Sequence, residues 1–134
     1  MSEQLTDGRP PERVVRFTVY GEPRSKQRAR VTKHGTFTPK ETLEQEQRVA
    51  GAFLALGESP FERTVIVDID FYNGNRRRRD IDNMAKLVLD GLNAVAFADD
   101  HSVVGLNLRK LYTEKELART EVTIREAVLW PNER

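Results

Sequence analysis

Cysteine is missing from all 134 residues. That excludes disulfides, thiol nucleophiles, Cys-ligated zinc and iron–sulfur clusters. Histidine is nearly as scarce. Only His34 and His101 are present, too far apart for a local His-rich metal motif. A metal site in this chain has to be built from oxygen ligands. Aromatic residues make up 7%, and none interrupts the basic segments to supply a stacking platform for single-stranded nucleic acid. An excess of one charge is also lacking: 22 Lys+Arg stand against 21 Asp+Glu, for a net charge of +1. Mixed evenly, those charges would argue against a strong nucleic-acid binder. No apolar run approaches the roughly 20 residues of a membrane span, and no signal-peptide core follows Met1. The expectation is a soluble, intracellular protein with no membrane partner. The length fits one domain with one ordinary core.

What is present organises into alternating elements. Residues 1–13 are polar, include Pro10-Pro11 and read as a flexible tail. Val14 to Tyr20 is rich in β-branched and aromatic residues and reads as a strand. After Gly21-Glu22-Pro23, residues 31–37 read as a short hairpin around Gly35. Thr38 as N-cap, Pro39 at the first helical position and Glu41 three residues after Thr38 form a capping box. Leu43, Val49, Ala50, Phe53 and Leu54 give that helix its expected apolar face. Thr64 to Tyr72 alternates Val65, Val67, Ile69 and Phe71 with Asp68 and Asp70, the pattern of a strand with one solvated face. Asp82 to Val95 has helical spacing of Met84, Leu87, Val88, Gly91, Leu92 and Val95. Val103 to Leu111 and Thr120 to Ile124 read as closing strands, and 127–134 as a C-terminal tail in which Trp130 packs. The order is ββαβαββ: a small single-domain α/β (α+β) fold, a mixed sheet with two main helices over residues 14–126.

The charges are segregated. Arg24, Lys26, Arg28 and Arg30 occupy alternate positions, and Arg76, Arg77, Arg78 and Arg79 run consecutively. Arginine forks match phosphate geometry, so two such runs point to a phosphodiester partner; a solvated charged loop is the plainer alternative for either alone. Directly after the second run come Asp80, Asp82, Asn83, Lys86 and Asp90, and then Asp99-Asp100. Clustered carboxylates without Cys or His are the ligand set of hard cations such as Mg²⁺. Such ions activate water and neutralise charge at a phosphate. Lys86, one turn beyond Asp82, suits a charge-stabilising or water-positioning role. The structural alternative makes Asp82 a helix N-cap, pairs Asp80 with Arg79, and pairs Lys86 with Asp90 at i,i+4. Asp99-Asp100 begins at the far end of the helix. It reaches Asp82 only if the chain folds back, or if a second subunit brings the sites together. Asp68 and Asp70 are assigned to the strand's solvated face, Lys110 and Glu114 to exposed strand ends, His34 to a basic loop and His101 to a polar turn.

At these residues the chain resembles the RusA family of Holliday junction resolvases. The matching pieces are Gly21-x-Pro23-x-x-Lys26-x-Arg28-x-Arg30, Arg79-Asp80-x-Asp82-Asn83-x-x-Lys86, Asp90-Gly91-Leu92 and Phe97-x-Asp99-Asp100. The resemblance spans about residues 14–125. It implies a homodimeric, Mg²⁺-dependent endonuclease, with Mn²⁺ as an alternative ion, that nicks two like-polarity strands symmetrically across four-way DNA. It implies Asp80, Asp82 and Asp100 as catalytic metal-binding carboxylates, Lys86 as the catalytic lysine, and Asp99 as an adjacent ligand. Asn83 and Asp90 would be supporting, and Arg24, Lys26, Arg28, Arg30 and Arg76 to Arg79 would bind DNA. The expected setting is the cytoplasm of a bacterial or phage-infected cell, in recombination and repair. Two rival readings are a nuclease for forks or other branched DNA and a junction-binding protein without catalysis. A charged protein-interaction domain is the blandest.

Overall fold

The computed structural model describes residues 13–98 and 100–127, with the side chains of Arg30 and Asp100 excepted. Except for Arg13, the expected N-terminal tail lies outside the described residues. So do Trp130 and positions 128–134. The elements are β1 (Val14–Tyr20), β2 (Arg30–Thr32), β3 (Gly35–Phe37), α1 (Lys40–Leu54), β4 (Val65–Asn73), α2 (Ile81–Leu92), β5 (Val103–Tyr112) and β6 (Arg119–Glu126). Two short 3-10 turns, Asp100–Ser102 and Lys115–Leu117, flank β5. The architecture is mixed α+β, as the sequence suggests: two helices, a four-stranded mixed sheet and a small separate hairpin.

The main sheet runs β1-β6-β4-β5. β6 lies antiparallel to both neighbours, while β4 and β5 are parallel. A parallel pair needs a crossover, and α2 supplies it. In β4 the residues Val65, Val67, Ile69 and Phe71 are buried and the alternate positions are half-buried. Period 2 thus sends the apolar set against the helices and Asp68 and Asp70 to the other face. Met84, Leu87, Val88 and Leu92 of α2 meet Val49 and Phe53 of α1 in one core. The helices pack closely because position 91 is glycine. A Cβ there would lie 2.7 Å from the Glu46 carbonyl oxygen and 2.9 Å from Val49 Cβ.

Several local expectations differ from what forms. α1 begins one residue later than the capping box requires. Pro39 is its N-cap residue, accepting from Thr42 N and Leu43 N through its carbonyl, and no side chain caps it. The buried face of α1 is Thr42, Val49 and Phe53; Leu43 and Leu54 are exposed. Positions 42, 46, 49 and 53 share that face, and the charge at Glu46 disguised it. α2 ends at Leu92, short of Val95. Ala94 takes φ 68°, and the amides of Val95 and Ala96 both donate to the Leu92 carbonyl. That tight reversal drives Ala96 and Phe97 into the core, where they are fully buried. Arg13 joins the domain: it lies over the Phe61 ring, pairs with Glu58 and exchanges hydrogen bonds with Glu126.

Candidate active site

Three anchors fix which end of α2 lies where. The Lys110 ammonium donates to the Arg79 carbonyl at 2.8 Å, so the start of α2 sits at the far end of β5. Phe61 N donates to the Ala96 carbonyl, so the end of α2 sits where β4 begins. Val103 pairs with Val65, so β5 also begins there.

At the start of α2, Asp80 occupies the N-cap position but makes no side-chain capping bond. Asp82 lies in the first turn, where, among the described residues, its side chain accepts only its neighbour's amide, Asn83 N, at 3.0 Å. Both are exposed. The N-cap alternative for Asp82 therefore fails, as does the Asp80–Arg79 pair: Arg79 pairs with Glu22 at 3.2 Å instead. The helix N-terminus lessens repulsion between the carboxylates through its dipole. One turn on, Lys86 is exposed and makes no hydrogen bond or ion pair among the described residues. The expected Lys86–Asp90 pair does not form, because Asp90 is bonded to Lys26. Asp82, Ala85, Lys86, Leu89 and Asp90 line an open groove of about 300 Å³, with Leu106 and Leu108 of β5 as its other wall.

The basic segments divide into inward and outward members. Arg79 is almost enclosed, bonding Glu22 and Asn75, and Glu22 also accepts from Gly74 N. Arg76, Arg77 and Arg78 are exposed, with Arg76 lying 5.1 Å from the Tyr112 ring centre. In the first run, Arg24 and Arg28 are exposed while Lys26 is half-buried. Residues 22–29 form no strand, so the alternating ladder is not a regular one. They are fastened by Lys26 N to the Asn83 carbonyl at 3.0 Å and Gln27 N to Thr42 Oγ1 at 3.2 Å. Sequence reasoning passed over Glu22 and Glu46, whose partners are distant in the chain; the only local signal was acidic residues amid basic ones.

Asp99 and the side chains of Asp100 and Arg30 lie outside the described residues. The Asp100 backbone is placed, however. It falls between Phe97, at the end of α2, and Val103, at the start of β5, within three residues of each. The chain does not fold back to Asp80. α2 separates the two positions by about 18 Å of helix.

The donor set suits a hard divalent cation: two adjacent, exposed carboxylates that no side chain neutralises. Among the described residues no three acidic or histidine side chains converge to hold an ion, so Asp80 and Asp82 need a further ligand. The strand carboxylates Asp68 and Asp70 are committed elsewhere. Asp68 accepts from Asn107 and Arg125, and Asp70 takes a two-pronged bond from Arg109 at 2.9 Å, both on the opposite sheet face.

Residues 20–125 match the endodeoxyribonuclease RusA family. The match takes in both helices, the four-arginine loop and the groove, and the chain belongs to this family. Its activity is that of a Holliday junction resolvase nuclease, and its nucleases in general depend on a divalent metal. No curated relative matches the chain.

Proposed function

We propose that this chain is a Mg²⁺-dependent endonuclease that resolves four-way DNA junctions by paired symmetric nicks, serving recombination and repair. The observation that carries the reading is Asp82 and Lys86 lining the groove, with Asp80 at the helix start beside them, none with a side-chain partner among the described residues, next to exposed Arg76, Arg77 and Arg78.

Asp80 and Asp82 would hold the metal, with Mn²⁺ as the alternative ion. When bound, the ion supplies charge neutralisation at the scissile phosphate and makes water a better nucleophile. Lys86 presents its ammonium to the same groove, where it stabilises the negative charge that builds on the phosphoryl oxygens. Arg24, Arg28 and Arg76 to Arg78 grip flanking phosphates and orient the strand; their exposed guanidinium groups match phosphate oxygens. Leu106 and Leu108 form the apolar wall of the groove on the sheet side.

The backbone position of Asp100 supports a homodimer. If that carboxylate serves the site, it comes from a second copy, because α2 keeps it from Asp80 of its own chain. β5 is an edge strand, and Val104 and Leu106 on it are exposed apolar residues, which suits a face for that copy. Two sites related by a two-fold axis also suit a two-fold-symmetric substrate.

The test compares cut sites on a four-way junction, a fork and a linear duplex with Mg²⁺. Paired symmetric nicks confined to the junction support the reading. Preferential cutting of forks transfers the activity to other branched DNA, and binding without cutting makes the chain a junction-binding protein. Mixing Asp82→Asn with Asp100→Asn protomers tests the shared site. Recovery of a single nick supports it, because only a mixed dimer then holds one intact set.

A further inference from the structure

The half-buried cation of the first basic run is the feature that the proposed function leaves unexplained. Lys26 directs its ammonium to two carboxylates at once, Glu46 of α1 at 3.2 Å and Asp90 of α2. All three side chains are largely covered, with 24% of Lys26, 17% of Glu46 and 27% of Asp90 exposed. The triad lies beside Gly91, where α2 packs against the Glu46 backbone and Val49 of α1. The backbone amide of the same lysine donates to the Asn83 carbonyl, next to Asp82. Burial pulls the ammonium's pKa down, but hydrogen bonds and charge from Asp90 and Glu46 outweigh it and hold the pKa above the ordinary 10.5.

A lysine so engaged has little left to offer a phosphate. Its consequences fall on its neighbours. Asp90 is four residues beyond Lys86 on the same helix face and lines the same groove. An unneutralised carboxylate there would draw the Lys86 ammonium to itself. With Lys26 holding Asp90, Lys86 remains unpaired. The Asn83 contact also fixes Arg24 and Arg28 relative to the first turn of α2.

We propose that Lys26 is a positioning residue and not a DNA contact: its ammonium occupies Asp90 and Glu46 and keeps Lys86 available to the groove. This rests on the nuclease reading for its effect on cleavage, but not for its effect on binding.

The test uses the full chain with three variants: Lys26→Met, Lys26→Met with Asp90→Asn, and Arg28→Ala. Junction binding is measured across salt concentrations, and single-turnover cleavage at saturating enzyme. For Lys26→Met the dependence of log affinity on log salt should stay as in wild type. For Arg28→Ala it should become shallower by about 0.9 per lost phosphate contact. Cleavage by Lys26→Met should fall by at least about tenfold, corresponding to a barrier raised by 1.4 kcal/mol. The double variant should recover most of that loss, because it removes the carboxylate that would capture Lys86. The double variant also guards against misfolding, since it leaves one fewer unpaired charge. A shallower salt dependence in Lys26→Met overturns the proposal in favour of a phosphate contact. An unchanged slope with no recovery in the double variant overturns it in favour of a purely structural ion pair. Wild type that binds junctions without cutting them defeats the nuclease reading, and the salt dependence still decides whether Lys26 touches DNA. Wild type that does not bind junctions overturns both.

Discussion

The two faces of the main sheet handle charge in opposite ways. On the open face every carboxylate has a basic or amide partner: Asp68 has Asn107 and Arg125, Asp70 has Arg109, and Glu121 has Arg119. Arg119 also lies over the Tyr72 ring at 3.9 Å. On the helix-covered side, at the start of α2, Asp80, Asp82 and Lys86 have no such partners among the described residues. Arg79 directly precedes Asp80 and Lys26 reaches Asp90 one turn beyond Lys86, yet each is turned to another acid. A charge satisfied within the protein contributes to structure. A charge left over beside such pairs is available to a ligand, which is the reading proposed for Asp80, Asp82 and Lys86.

That contrast can be broken by experiment, beginning where the effect is largest. Asp80→Asn or Asp82→Asn should cut the cleavage rate on the order of 10³-fold, for several kcal/mol of lost charge stabilisation at the phosphate. Junction binding should persist and the melting temperature should not fall, which gel shift and calorimetry would check. A large stability loss would move these aspartates to the structural side of the comparison.

Lys86→Met should slow single-turnover cleavage by about 10²-fold, the scale of one removed donor at a developing negative charge. Folding stability should hold, because the ammonium has no partner to abandon. Arg79→Met should do the reverse. It strands Glu22 in a largely covered position, so unfolding free energy in denaturant should drop by about 3 kcal/mol. Arg79 would then belong, energetically, with the open face, even though it completes the four-arginine run.

Arg109→Ala removes an exposed partner of Asp70 and should cost less than about 1 kcal/mol. The smallest effect is a pH dependence. The Lys26 pKa is raised on folding, so its contribution is fully present below 10.5 and is lost as pH rises through the raised value. The stability gap between wild type and Lys26→Met should therefore be flat below pH 10.5 and narrow above it, in denaturation curves collected across pH.

Much of this architecture is legible in the chain. β1 spans the residues its composition predicts, and strict alternation exposes the buried side of β4. The core of α2 follows its 3.6-residue spacing, and Asp82 and Lys86 share a face because they are one turn apart. Local chemistry misleads at the helix starts, where Thr38 and Asp82 are good caps on paper. Pro39 and Asp80 take those positions, and neither caps with its side chain. Long-range pairing is not legible at all. Lys26 meets Asp90 across 64 positions and Arg79 meets Glu22 across 57, and such choices depend on tertiary packing. The distance between Asp80 and Asp100 is likewise a property of topology. Helix length already puts Asp100 at the far end of α2, but that the chain does not fold back follows from β5 running parallel to β4, which no spacing in the sequence reveals.

The strand order has a consequence for how the molecule comes into being. β6 is the last strand in the chain, yet it sits inside the sheet, between β1 and β4. Val14 pairs with Arg125, so the first strand made on the ribosome waits for the last before it has a neighbour. Until β6 emerges, β1 has no ladder and β4 has only its parallel partner. Contacts this distant in sequence slow folding. The sheet should therefore close late and all at once, and a nascent chain that stalls before Arg119 should behave as an unassembled hairpin-and-helix intermediate, open to proteases.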